Sequence, residues 1–314
     1  MSRNGAGDRR LAVQFCGIEF QNPVLLAAGT AAYGEELDEV VHLDRLGGII
    51  TKAVSLDPRH GAPSPRVAEF DGGMMNAVGL ANPGVAAVRE RHLPWLAERL
   101  HSARVLVNVV GFQTDEFASV IERLGADAPV HGFEINVSCP NTKAGGVEFG
   151  ADPRALREVV SSTRAVTSRP LVVKLSPTLT DIVGAARIAV DAGADAISVV
   201  NTIPGLAIDV ERRRPVLGFG TGGVSGQGLL PVGVLATWKV RKATSVPIIG
   251  VGGISTANAA LQYIIAGASL VAVGTAALRD PRVPERLVRD LAAWCHEHGV
   301  ASLSDLCGSL EWPT

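Results

Sequence analysis

Eight short runs rich in Val, Ile, Leu and Ala recur along the chain, each bounded by polar or turn-forming residues. They are PVLLAAG (23–29), GIITKAV (48–54), RVLVNVVG (104–111), GFEINVS (132–138), LVVKLS (171–176), DAISVVNT (195–202), VPIIGVGG (246–253) and SLVAVGT (269–275). Runs this short and this continuously apolar predict strands buried on both faces, as in a parallel sheet. Between them lie helical patterns such as DPRALREVVSSTRAV, TDIVGAARIAVDAG and TANAALQYIIAGA. Several open on Asp, Ser or Thr in capping position and close at glycine, as at Gly193 and Gly267.

That alternation over 314 residues predicts an α/β chain folded as one (β/α)8 TIM barrel spanning 1–314. A doubly wound sheet is the structural alternative, but eight regular units favour closure. Residues 1–10 are expected to be a flexible N-terminus, and LAVQFCGIEFQNP reads as a β-hairpin capping the barrel's bottom. The connections 54–84 and 202–229 are much longer than usual. Long βα connections lie at the C-terminal face of a barrel, where its chemistry sits.

Composition narrows the class. Hydrophobic residues make up 47% and aromatic residues only 4%, so the core must be mainly aliphatic. A net charge of −2 lacks the basic excess of a nucleic-acid footprint. Cys16, Cys139, Cys295 and Cys307 form no CxxC pair and no zinc-like cluster with histidine, so no metal site is expected. The polar start lacks a signal-peptide core, and no apolar run approaches the roughly 20 residues that span a bilayer. These features predict a soluble, reduced, intracellular protein.

The polar residues at the strand ends carry the chemistry. Lys52, Asn108, Asn136, Lys174 and Asn201 fall at or near the ends of five successive runs and should face one mouth. Gly252-Gly253 and Gly274-Thr275 end the last two, where barrels often bind phosphate through backbone N–H groups. GGIST then opens a helix at Ser255 or Thr256. A lysine in such a site could form a Schiff base or stabilise a developing anion. Asn76, Asn136, Asn141 and Asn201 each offer a donor and an acceptor, which suits a pyrimidine-like ring.

INVSCPNTKAGGVEFGADP (135–153) resembles the active-site loop of class 1 dihydroorotate dehydrogenases, and its KxGGxxFG continuation resembles class 1B. NPVLLAAGT, TKAVSLDPRHGAPSPR, MMNAVGLANPG, VVKLSPTLTDIV, VNTIPGLAID, TGGVSG, PIIGVGGIST and AVGTA extend the resemblance along almost the whole chain, in the family's order. The resemblance implies oxidation of dihydroorotate to orotate in pyrimidine biosynthesis, with Cys139 removing the C5 proton and one FMN per chain taking hydride from C6. It implies a substrate pocket of Lys52, Asn76, Ala77, Val78, Gly79, Leu80, Asn136, Asn141, Asn201 and Thr202. FMN contacts would come from Ala28, Lys52, Ala53, Asn108, Asn136, Lys174, Val200 and Gly226, and its phosphate from Gly252, Gly253, Gly274 and Thr275. Ala28, Ala53 and Gln227 stand where the family more often has Ser, Gly and Pro.

Class 1B enzymes pass electrons to NAD through a second subunit that carries FAD and a [2Fe–2S] cluster. The expected assembly is therefore a homodimer, or a heterotetramer with that subunit, in the cytoplasm. Cys16, Cys295 and Cys307 match no functional position and are expected to be structural. Three other functions stay open: a related flavoprotein with another pyrimidine or acceptor, a Schiff-base lyase using Lys52 or Lys174, and an inactive binding subunit. The last two leave SCPN unexplained.

Overall fold

In the computed structural model, which describes residues 8–138, 140–141 and 147–313, each apolar run forms a strand. The barrel strands are β1 (Val24–Leu26), β2 (Gly48–Ile50), β3 (Arg104–Val109), β4 (Gly132–Asn136), β5 (Leu171–Leu175), β6 (Ala196–Val199), β7 (Ile248–Val251) and β8 (Leu270–Val273). All neighbours pair in parallel, and β8 closes on β1 through Val271 to Val273 against Val24 to Leu26. The barrel is thus complete in the order that the sequence predicts.

Two apolar layers hold it together. Leu25, Ile50, Leu106, Val172, Ala196, Ile249 and Leu270 fill the lower interior. Val13, Phe15 and Phe20 of the hairpin Val13–Phe15/Ile18–Phe20 plug it from below. Outward-facing Val and Ile residues of the strands pack under the surrounding helices, among them Pro153–Ala165, Ile182–Asp191 and Ala257–Ala266. Their starts follow the capping prediction: Asp152, Asp181 and Thr256 each accept N–H bonds from the first turn.

Three local features depart from the simple pattern. The connection after β1 carries only 3-10 turns, at Glu35–Leu37 and Leu43–Arg45, in place of an α-helix. Gly29 and Gly34 hold positive φ there, and a Cβ on Gly34 would come within 2.9 Å of the Trp95 ring, so that segment cannot wind regularly. Of the N-terminus, residues 1–7 lie outside the described residues. Residues 9–11 form a 3-10 turn capped by Asp8, whose carboxylate also pairs with Arg10 at 2.7 Å.

The third departure shapes the site. The two long connections pair with each other in a four-stranded antiparallel sheet, ordered Ile203–Gly205, Gly222–Ser225, Gly73–Asn76, Val67–Phe70. Asn76 lies opposite Gly223 in that register. The sheet becomes one wall of the barrel's mouth.

Candidate active site

Side chains alternate along a strand, so the even-numbered residues of β3, β4 and β5 all point into the barrel. Above the aliphatic layer this places Asn108, Glu134, Lys174 and Ser198 on adjacent strands, with Asn108 opposite Glu134 and Lys174 opposite Ser198. All four are buried. Asn108 Nδ2 donates to Glu134 Oε2 at 2.7 Å, and Lys174 Nζ lies 3.8 Å from the same oxygen. Glu134 Oε1 and Ser198 Oγ are buried with no hydrogen-bond partner among the described residues.

One step higher on β4, Asn136 Oδ1 accepts from Asn201 Nδ2 at 3.3 Å and from the Ser138 N–H at 3.3 Å. Asn201 in turn accepts the Thr202 N–H at 2.9 Å. Asn201 and Thr202 line a cavity of about 300 Å³, together with Ala77, Gly79, Ser138, Glu148 and glycines of the wall sheet. Asn76 Nδ2 donates to the Gly223 carbonyl at 3.4 Å, which ties the two connections across that wall. The amides of Asn108, Asn136 and Asn201 are thus stacked at successive levels between the buried polar layer and the cavity, the upper two bonded to each other.

The NAVGL segment is shaped by contact. Ala62 N–H donates to the Val78 carbonyl at 3.1 Å, and Gly79 holds φ +68° with no room for a Cβ, which would lie 2.4 Å from Ala62 N. Leu80 follows at φ 56°. Lys52 sits just past β2, its N–H bonded to the Ala32 carbonyl at 2.7 Å. Ala28 packs partly against the lower barrel, while Ala53 and Val200 are buried.

At the far side of the mouth, the turns after β6, β7 and β8 meet. Gln227 Nε2 donates to Ser255 Oγ at 3.1 Å, and Thr275 Oγ1 donates to Ser225 Oγ at 2.8 Å. Gly226, Gly252 and Gly253 all have positive φ, and a Cβ on Gly253 would press within 2.6 Å of Leu230 N. At Gly274 a Cβ would meet Ala27 at 3.7 Å and Thr30 at 3.9 Å, ordinary contact distances. Tyr263, fully buried on the helix Ala257–Ala266, bonds through its hydroxyl to the carbonyls of Val251 and Gly252 at 2.9 and 2.8 Å. It fixes the peptide that carries the Gly252-Gly253 pair.

Cys139 lies outside the described residues, as does the side chain of Asn141, whose backbone pairs with Val147. The sequence reading missed Glu134, Ser198, Glu148 and Tyr263. Burial raises the Glu148 carboxyl above its ordinary value, opposed by a Ser176 hydrogen bond. Burial also pushes the Cys16 thiol up to about 12, with Asp195 adding to the effect. Cys16, Cys295 and Cys307 are free thiols away from the mouth. No group of His, Cys, Asp and Glu among the described residues could hold a metal, and no described helix is long and apolar enough to cross a membrane.

Known proteins resemble this chain along almost its whole length. The family model described as dihydroorotate dehydrogenase matches residues 10–294. The chain is 46% identical to the dihydroorotate dehydrogenase B (NAD(+)) catalytic subunit of Pelobacter propionicus, over 96% of this chain and 98% of that protein. It is 44% identical to the subunit of the same name from Geobacter sulfurreducens, with the same coverage. Among solved structures, the Eimeria tenella enzyme in complex with ferulenol superposes with a TM-score of 0.82 at 26% identity, covering 97% of this chain and 89% of that one.

Proposed function

Because this chain belongs to the dihydroorotate dehydrogenase family, we propose that it is the catalytic subunit of an NAD-linked enzyme that oxidises (S)-dihydroorotate to orotate in pyrimidine biosynthesis. The observation that supports this most is the amide column. Its bonded pair, Asn136 and Asn201, stands one step above the buried polar layer, with Asn201 lining a cavity of about 300 Å³ that is large enough for a small heterocycle. Asn136, Asn201 and Thr202, with Asn76, Gly79 and Asn141, would hold the substrate ring and its carboxylate.

The residues present also fit a flavin, and we take FMN as the resident one. Two buried polar atoms without partners, Glu134 Oε1 and Ser198 Oγ, face the barrel interior where a planar ring with donors and acceptors would lie. Gly226, Gly252 and Gly253 hold the positive-φ turns beside which a phosphate would sit on backbone N–H groups. Ala28, Lys52, Ala53, Asn108, Asn136, Lys174 and Val200 would surround the ring, with Gly226, Gly252, Gly253, Gly274 and Thr275 around the phosphate. When bound, the flavin supplies the acceptor for the two electrons that leave C6 of the substrate as hydride.

The chain's own residues do the rest. Cys139 takes the C5 proton, so that the C5–C6 double bond forms as both hydrogens leave. Lys174 and Lys52 supply positive charge beside a ring that gains electron density, an electrostatic role that is stronger in a dry site. Asn136 and Asn201 fix the orientation of the pyrimidine and hold C5 toward the base. A separate subunit with FAD and a [2Fe–2S] cluster would supply the route to NAD, in an assembly built on a homodimer of this chain. The NAD link makes the cytoplasm the expected compartment.

A visible spectrum of the purified protein, followed by dihydroorotate without oxygen, tests the proposal. Flavin bands that bleach support it, whereas a flavin that stays oxidised moves the substrate elsewhere. No flavin, even after reconstitution with FMN, would return the site to the Schiff-base alternative. Cys139→Ala should keep FMN and lose roughly 10²–10⁴-fold in turnover at neutral pH, the usual worth of a general base. Near-normal turnover would remove Cys139 from that role.

A further inference from the structure

Glu134 is an acid in the middle of the barrel strand GFEIN, between Phe133 and Ile135, and it is fully buried. A carboxylate at such a depth is costly unless its oxygens are matched by donors or cations. One oxygen is matched twice, by the Asn108 amide at 2.7 Å and the Lys174 ammonium at 3.8 Å. The other, Oε1, has no partner among the described residues although it is buried. Asn108 and Lys174 are two of the residues placed around the ring in the flavin reading, and Glu134 is what they share.

Resting on that reading, we propose that Glu134 is a positioning residue that sets both the donor pattern and the charge presented to the flavin. The amide follows directly. Because Asn108 Nδ2 is committed to the carboxylate, its carbonyl oxygen is left to face the ligand as an acceptor. Without the carboxylate, the amide could turn over and present a donor. The charge follows from distance. Glu134 lies close enough to Lys174 to offset part of the positive field that favours the reduced, more negative ring. The chain thus holds a lysine for that purpose and a buried acid that moderates it.

Glu134→Gln removes the charge at nearly constant shape. Loss of a unit charge at this depth is worth at least a decade in an equilibrium constant at an effective dielectric near 20. The ratio of affinities for reduced over oxidised flavin should rise about tenfold. At about 30 mV per decade for a two-electron couple, the potential should move about 30 mV positive. Glu134→Asp keeps the charge but withdraws the carboxylate from Asn108. It should leave the potential near that of the parent while weakening apoprotein affinity for FMN about tenfold.

Spectroelectrochemistry of the bound flavin and fluorescence titration of the apoprotein read the two quantities separately. A flavin potential that Glu134→Gln leaves unmoved overturns the proposal, and so does Glu134→Asp with unchanged FMN affinity. If Glu134→Gln does not fold, the Asp variant alone decides: weaker FMN at constant potential supports positioning, and unchanged affinity refutes it. Failure of the underlying flavin reading looks different, because the parent protein itself would bind no flavin.

Discussion

Tyr263→Phe takes away one hydroxyl and leaves the ring, so its effect can be worked out bond by bond. The side chain occupies space kept open by Gly233 and Gly250, where a Cβ would come within 1.8 Å of the hydroxyl and 2.3 Å of the ring, and Phe fills all of it but the hydroxyl's share. The hydroxyl reaches two carbonyls, those of Val251 and Gly252. The Val251 carbonyl also accepts the Val200 N–H at 3.0 Å and keeps a partner. The Gly252 carbonyl loses the bond given to it from below. One bond of this kind is worth about 1 kcal/mol, rising to about 3 if the carbonyl stays dry. At about 2 °C per kcal/mol for a chain of this size, the melting temperature should fall by about 2–6 °C.

Function should respond through the phosphate. If the Gly252-Gly253 turn holds it, the loosened peptide weakens FMN binding several-fold but leaves riboflavin, which lacks the phosphate, unaffected. Fluorescence titration of the apoprotein with both ligands, beside a thermal melt, measures this. A variant with parental melting and an unchanged ratio of FMN to riboflavin affinity would refute the assignment of Tyr263 as the brace of that turn.

Other parts of the molecule are open to equally direct checks. With Cys16 held at about 12 against an ordinary 9.0, its thiolate fraction falls about a thousandfold; it should resist iodoacetamide at pH 8 until the protein is unfolded, and rapid labelling of the native protein at that site would contradict its burial. Gly79→Ala forces an alanine into φ +68° with its Cβ 2.4 Å from Ala62 N, so it should cost about 2 kcal/mol or more and weaken substrate binding, as a denaturation curve and a substrate titration would read. Glu148 has a raised folded value, so its ionisation works against the fold as pH climbs from about 4.5 through that value. Glu148→Gln lacks this loss, and its melting temperature should gain on the parent's across that window; a constant difference would refute the assignment.

The barrel was readable because parallel strands buried on both faces must be aliphatic throughout, and helices between them must cap and stop. Lys52, Asn108, Asn136, Lys174 and Asn201 stood out because polar residues there break the aliphatic rule. The same rule hid Glu134 and Ser198: each lies inside a run that still reads as apolar, and only the pairing of β3 with β4 and of β5 with β6 reveals their neighbours. Tyr263 sits in a helical pattern that gives no hint of what its hydroxyl reaches. The wall sheet was invisible because its strands come from connections about 150 positions apart, as Asn76 and Gly223 are, and are short and rich in glycine. Cys139 rests on its motif alone, since it lies outside the described residues.

The pairing of those two connections also says something about time. Gly73–Asn76 can find Gly222–Ser225 only after β3 to β6 have brought the second connection round to the first, so the wall depends on the barrel while the barrel does not depend on the wall. Contacts so distant along the chain are slow to form, as is the still longer-range closure of β8 on β1. The cavity is therefore complete only once strands far apart in sequence have been brought together, both in the barrel and in the wall that stands on it.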